Sequence, residues 1–389
     1  MSFYPQTLIC AWLAALLSLP AVVQAAADAP AQDADGDSMD PRTRVVDLSQ
    51  VTDLSDLIKG IADKRVIFVG ESHDRFEDHL NQLAVIDGLH AMDKPLAIGV
   101  EFFQQPFQAH LDAFIAGEIE ESELLKRTEY FDRWRFDYRL YRPILQYARE
   151  HGIPIVALNL EREITDKAGD GGIEGLSDEE RARIPSDIDR DDADYRRRVQ
   201  AVFDFHPKKE EANFEHFLDV QLLWDEGMAA RAAEWLEAHP DYTMVVLAGA
   251  GHVEYGMGIP KRLTRRLPVD TAIVMSGVGR DMSPTMADYL LFPRRIDLTA
   301  RGLLGVMLDL ESEGDGVRVQ GFADNSGAEK VGIEEDDRII RIGGTPVGSY
   351  ADIRIAMLDA KPGDKLSVEV QRDRVIGDDQ ILSFEVELH

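Results

Sequence analysis

The chain has 389 residues and an apolar content of 44%, which is enough for a large core and for two or three domains. It carries 42 basic and 72 acidic residues, a formal charge of −30, so it lacks the basic surface that nucleic-acid binding requires. Cys10 is the single cysteine, so a chain cleaved after that position has neither disulfides nor cysteine metal ligands.

The N-terminal residues are typical of an export signal. Residues 8–23 are uncharged and mostly apolar, and Ala25 provides the small residue that a signal peptidase requires. No Lys or Arg precedes the run, which leaves an uncleaved anchor as the alternative. We expect a signal peptide at 1–25, a disordered acidic linker at 26–44, and a periplasmic or otherwise exported protein that is not a lipoprotein.

Buried strands and amphipathic helices alternate from about residue 45 to residue 297, which predicts an α/β domain with a mostly parallel sheet. Helical periodicity marks 76–92, 107–116, 141–151 and 214–238. The predicted strands are Val66–Val69, Ile98–Val100, Ile155–Leu158 and Met244–Ala248.

Polar side chains follow each of these four strands. Two strands are followed by the pattern G-x-x-H, which ends in His73 and His252, and the other two are followed by Glu101 and Asn159. The carboxyl ends of parallel strands meet at one edge of a sheet, where ligands bind. The sequence therefore predicts one site at this edge.

Two kinds of chemistry suit this site. His73, Glu101 and His252 match a divalent-metal set for Mn, Zn or Fe, with Glu71 as a further carboxylate. A buried glutamate is alternatively a general base. Arg142 would then pair with a substrate carboxylate or neutralise one of the glutamates.

Two segments interrupt the pattern. Residues 161–212 form a charged insertion, interpreted either as a lid over the site or as a solvated excursion. Residues 130–141 are aromatic and basic within an acidic chain, and include Tyr130, Tyr138 and Tyr141. They favour either a surface for a flat ligand that carries carboxylates or a core helix.

From about residue 300 to 389, short strands and Gly/Asp turns indicate a small β-rich module with one helix near 351–360. Between the two modules, the composition changes at Pro293-Arg294-Arg295.

The first module resembles the ChaN-type haem-binding uptake proteins, which are related to the Tiki/TraB and erythromycin-esterase-like proteins. The resemblance rests on GESHD at 70–74 with His79, GVEFF at 99–103, YRPIL at 141–145, and GAGHVEYGMGIPKRL at 249–263. It implies an exported protein that binds haem for iron uptake or handling, and raises the prospect of a homodimer with two stacked haems.

The resemblance implies that a tyrosine ligates the iron, while histidine and lysine assist at the propionates. Tyr130, Tyr138 and Tyr141 are candidates on composition, beside Glu71, His73, Glu101, Arg142 and His252. In the wider superfamily, the residues equivalent to His73, Glu101 and His252 serve hydrolysis. A metal-dependent hydrolase of the protease or esterase kind is therefore the alternative.

The second module resembles a PDZ domain of the kind attached to bacterial periplasmic proteases. Its Gly302–Val306 segment matches the loop that binds a terminal carboxylate. A PDZ groove binds a peptide as an added strand. The predicted peptide-binding residues, which select an apolar C-terminal residue on a peptide or protein ligand, are Leu303, Leu304, Gly305, Val306, Ile353 and Met357.

Overall fold

The computed structural model describes residues 51–206, 212–310, 314–374 and 379–389. The predicted signal peptide and acidic linker lie outside these residues. Among the described residues, no helix has the length and apolar character needed to cross a membrane.

The chain divides into two compact units. The first consists of the described residues up to Glu118 together with Leu140–Ile296. The second consists of Ile119–Arg139 and Asp297–His389. The segment 119–139 therefore groups with the C-terminal module, although the sequence places it inside the α/β region.

The first unit contains a parallel sheet of six strands in the order β3-β2-β4-β1-β5-β6. Its elements, in chain order, are α1 (Leu54–Ile61), β1 (Val66–Glu71), α2 (Phe76–His90), β2 (Leu96–Gln104), α3 (Gln108–Ile115), α6 (Arg142–His151), β3 (Ile155–Asn159), α7 (Arg162–Gly171), α8 (Asp178–Arg181), α9 (Ala193–Asp204), α10 (Phe214–Ala238), β4 (Thr243–Gly249), α11 (Ile259–Arg266), β5 (Thr271–Ser276) and β6 (Tyr289–Leu291). Helices α4 (Glu121–Arg127) and α5 (Tyr130–Arg133) belong to the second unit.

The central strands are buried along their whole length because helices cover both faces of the sheet. All six residues of β1 are buried, as are all but the last of β2. Continuous apolar runs of this kind are typical of parallel sheets. The prediction of a mostly parallel α/β domain is confirmed.

The register brings the strand ends together. In the β1–β4 pair Glu71 lies opposite Gly249, and in the β2–β4 pair Val100 lies opposite Leu247. The ends of β1, β2 and β4 therefore lie side by side.

The charged insertion is packed rather than fully solvated. Helix α9 buries Tyr195, Val199 and Phe203 in a cluster with Phe217 and Leu218 of α10. The interpretation of the insertion as a solvated excursion is wrong for this helix, because an apolar stripe lies beneath its charged outer face.

The C-terminal elements of the second unit are β7 (Val306–Asp309), β8 (Val317–Phe322), α12 (Gly327–Lys330), β9 (Arg338–Ile342), β10 (Thr345–Pro346), α13 (Tyr350–Ala356), β11 (Lys365–Arg372) and β12 (Gln380–Glu387). The strands form an antiparallel sheet in the order β12-β11-β9-β8-β7, with β10 paired to β9. Strand β7 is an edge strand, as groove binding by strand addition requires. The prediction of a β-rich PDZ fold is confirmed.

Candidate functional site

Three of the four predicted edge residues are buried at the strand ends. His73 lies two residues after β1, Glu101 lies within β2, and His252 lies in the short turn Ala250–His252 after β4. Their exposed fractions are 3%, 5% and 1%. Asn159 ends β3 and donates from Nδ2 to the Glu101 carbonyl at 3.1 Å, so the structure brings all four together.

Glu71 links two histidines on the β1 side. Its Oε1 lies 2.7 Å from His73 Nδ1, and its Oε2 lies 3.4 Å from His79 Nε2. His79 is held in turn by Gln82, because its Nδ1 lies 3.0 Å from Gln82 Oε1. Burial disfavours the charged imidazolium, but the carboxylates of Glu71 and Glu101 outweigh burial and raise the pKa of His73.

Glu101 lies between the two G-x-x-H histidines. It accepts the Gly249 N–H at 2.7 Å and lies 3.4 Å from His252 Nε2. Burial alone would raise its pKa, but the charges of His252 and His73 lower the pKa of Glu101 to about 2. A Cβ at Gly249 would lie 2.9 Å from the His73 ring, so the missing side chain leaves room for this arrangement.

His252 is held on its other side by an aspartate and a tyrosine. Its Nδ1 lies 2.7 Å from Asp225, which accepts the Tyr195 hydroxyl at 2.6 Å. Despite burial, the Glu101 and Asp225 carboxylates raise the pKa of His252 to about 10. Burial and Asp225 raise the pKa of Tyr195 well above its usual value. The insertion thus contributes a side chain that anchors the site.

The result is a buried row in which carboxylates alternate with imidazoles, Glu71–His73–Glu101–His252–Asp225. A general base works best with a pKa near the operating pH. His252 is protonated at neutral pH and Glu101 is ionised, so neither is poised for that role. The hydrolase alternative gains no support from this charge state.

The predicted metal set does not form. Within the described ranges, no group of three or more His, Asp and Glu side chains is arranged to hold a metal ion. His252 and Glu101 instead face each other as an ion pair, and His73 is paired with Glu71. The prediction of Mn, Zn or Fe at His73, Glu101 and His252 is therefore not supported.

The three candidate tyrosines separate between the two units. The ring of Tyr141 packs next to the site, with its centre 4.3 Å from the ring centres of both His79 and Phe102. Tyr130 and Tyr138 belong to the second unit, where their rings meet edge to face at 5.3 Å. Arg142, the first residue of α6, is partly buried.

Sequence reasoning missed two tyrosines at this edge. Tyr195 carried no motif, because only its packing on α10 directs it to Asp225. Tyr255 lies three residues after His252, is partly exposed, and has a left-handed backbone with φ of 59°. Arg198 lies 5.6 Å from its ring centre. The signal in the sequence is that Tyr255 lies inside the 249–263 segment that carries the family resemblance. Its left-handed backbone, of a kind that often marks a functional position, is visible only in the structure.

The second unit contains a cavity of about 250 Å³ between the loop 302–306, strand β7 and helix α13. All six predicted peptide-binding residues line it: Leu303, Leu304, Gly305, Val306, Ile353 and Met357. Gly305 has a φ of 78°, and no hydrogen bond among the described residues uses the N–H groups of Leu304 and Gly305. These amides suit a terminal carboxylate.

Two protein families match the two modules. A family described as haem-binding uptake, Tiki superfamily, ChaN, matches residues 57–263, which is more than half of the chain. The PDZ domain family matches residues 302–388.

Individual proteins match more distantly. ChaN of Campylobacter jejuni, solved with cofacial haem, is 18% identical with a TM-score of 0.49, over 60% of this chain and 89% of that one. The serine protease Do-like HtrB of Bacillus subtilis is 40% identical over 125 residues, 32% of this chain and 26% of that protein.

The chloroplastic protein RETICULATA-RELATED 5 of Arabidopsis thaliana is 23% identical over 235 residues, 54% of this chain and 31% of that protein. The chain thus spans less than a third of either curated relative.

The match at 57–263 includes both G-x-x-H motifs and the buried row of charges between them. The chain belongs to the ChaN haem-binding uptake family of the Tiki superfamily, and it carries a PDZ domain after the family domain.

Proposed function

We propose that this protein binds haem outside the cytoplasm, for iron uptake or handling, and uses its PDZ domain to recruit a peptide or protein. The observation that carries the proposal is the family match across the whole strand-end site. The N-terminal apolar run supports export, and the lined groove of the second unit supports peptide recognition.

The residues around the site fit haem. Haem requires an axial donor, cations for its propionates and an apolar surface. Tyr255, a half-buried residue whose hydroxyl is itself buried, lies beside an apolar cluster that contains Ala250, Met275 and Met286. Arg198 of α9 and Arg280, which follows β5, both pair with Glu254 in the turn after His252. When bound, the haem iron would supply the binding site for the axial ligand.

Titration of the full chain with ferric haem, followed by absorption, tests the proposal. We expect a saturable change at micromolar haem. Phenylalanine variants at Tyr130, Tyr138, Tyr141 and Tyr255 locate the ligand. One of them should shift the spectrum and weaken binding by about tenfold or more, because an iron ligand is lost.

Tyr147→Phe is the matched control, since its hydroxyl bonds Asp87 and His90 of helix α2 and no residue of the strand-end site. It should leave the spectrum unchanged. Light scattering with and without haem tests the homodimer. If no saturable binding occurs at micromolar haem, the haem function is wrong.

A further inference from the structure

The segment 119–139 forms part of the peptide groove. The cavity beside helix α13 is lined not only by the PDZ loop and helix but also by Asp137 and Arg139. Elsewhere along the segment, Lys126 bonds Asp352 of α13 at 2.7 Å, and the Phe131 ring lies 4.8 Å from the Arg354 guanidinium. Helices α4 and α5 thus pack against the groove helix.

The groove is locally cationic although the chain carries a formal charge of −30. Arg139, Arg301 and Arg354 line it, together with a single aspartate, Asp137. Asp137 bonds Arg139 at 2.7 Å and lies 3.8 Å from Arg301, so one carboxylate serves two guanidinium groups.

Arg354 is held in place without a carboxylate. Its Nη1 donates to the Tyr350 hydroxyl at 2.9 Å, and its guanidinium lies over the Phe131 ring. Within the described part of the chain, it forms no ion pair. A fixed guanidinium of this kind is suited to a carboxylate ligand, because its donors are already oriented.

We propose that segment 119–139 and the PDZ domain form one composite groove, which selects peptides that end in an apolar residue preceded by Asp or Glu. The inference rests on the proposed peptide recognition. Leu304, Ile353 and Met357 provide the apolar wall for the last side chain, and Arg354 with Arg139 and Arg301 provides the charge that the acidic residues need.

Fluorescence polarisation with the full chain and two labelled peptides tests the proposal. Both peptides end in valine, and one carries two glutamates before it where the other carries two glutamines. We expect the glutamate peptide to bind about tenfold more tightly at low salt, and the preference to shrink at high salt.

Arg354→Gln should reduce the preference to about twofold while the glutamine peptide binds as before, and Arg354→Lys should retain part of the preference. Arg301→Gln is a second test that leaves the contacts of Arg354 intact. Arg341→Gln is the matched control, because Arg341 pairs with Glu369 and does not line the groove.

Equal binding of the two peptides by the unaltered protein would overturn the acidic selectivity alone. Binding of neither peptide would overturn the selectivity and the proposed peptide recognition together. A preference that survives both Arg354→Gln and Arg301→Gln would show that these arginines do not carry it.

Discussion

At the scale of single residues, Glu101 and His252 hold opposite charges in an interior that excludes water. Either charge would be costly to bury alone. The cost is reduced because His252 Nε2 lies 3.4 Å from Glu101 Oε1, so that each charge is paired. Their pKa values therefore move in opposite directions, to about 2 for Glu101 and about 10 for His252. Asp225 also raises the pKa of His252 and His73 also lowers that of Glu101, but the Glu101–His252 pair is common to both shifts, so the two shifts are not added as separate contributions to stability.

This pair makes stability depend on pH in a defined window. The raised pKa of His252 stabilises the fold fully below its ordinary value of 6.5, and that contribution is lost as the pH rises through about 10. The lowered pKa of Glu101 stabilises the fold above 4.5, and that contribution is lost as the pH falls towards about 2. The contribution is therefore largest between about pH 4.5 and 6.5.

Thermal melts of the protein and of His252→Gln from pH 6 to pH 10 test the prediction. We expect the difference in Tm between them to be large at pH 6 and to shrink towards pH 10, where the unaltered protein loses the pair as well. His110→Gln, at a partly buried histidine of α3, is the control and should give no such trend. A difference that is constant from pH 6 to 10 contradicts the assignment.

At the scale of elements, the loop 302–306 depends on space as well as on backbone conformation. Gly305 has a φ of 78°, and a Cβ there would lie 2.7 Å from the Ser326 backbone and 2.6 Å from the His389 ring. Gly344 has a φ of 83°, yet a Cβ there would contact nothing within 4 Å. The backbone at both positions therefore disfavours any residue with a Cβ, and the two positions differ in the space around them.

Gly305→Ala should therefore cost about 2–3 kcal/mol and weaken peptide binding, because the loop must shift. Gly344→Ala should cost about 1 kcal/mol, the strain alone, and leave peptide binding unchanged. Denaturant unfolding and peptide titration of both variants provide the measurements. Equal losses from the two substitutions would show that strain, and not crowding, governs the loop.

At the scale of the whole molecule, the second unit is assembled from two stretches far apart in sequence. Residues 119–139 and 297–389 are separated by most of the α/β domain, yet they form one compact unit. The segment contributes Lys126, Phe131 and Arg139 to the surroundings of helix α13 and its groove.

A fragment of residues 297–389 should consequently melt at a lower temperature than the same unit in the full chain, and should bind the glutamate peptide less tightly. Adding a synthetic peptide of residues 119–139 should restore part of both properties, and a scrambled peptide of the same composition should not. Calorimetry and fluorescence polarisation measure the two effects. A fragment as stable and selective as the full chain would show that the segment is dispensable.

The sequence by itself determined the features that depend on local pattern. Continuous apolar runs predicted the parallel strands, and the G-x-x-H motifs placed His73 and His252 at their ends, because strand geometry and glycine turns are set by neighbouring residues. The PDZ loop was recognisable for the same reason, since its glycines and apolar residues occupy five successive positions.

Only the tertiary structure decided which distant side chains meet. Tyr195 reaches Asp225 across 30 residues, and Lys126 reaches Asp352 across 226. The tertiary structure also separates Tyr141, which lies next to His79, from Tyr130 and Tyr138, which belong to the other unit. Charge pairing replaced the expected metal set for a related reason: whether two histidines and a glutamate converge on a metal or neutralise one another depends on distances that no local periodicity encodes.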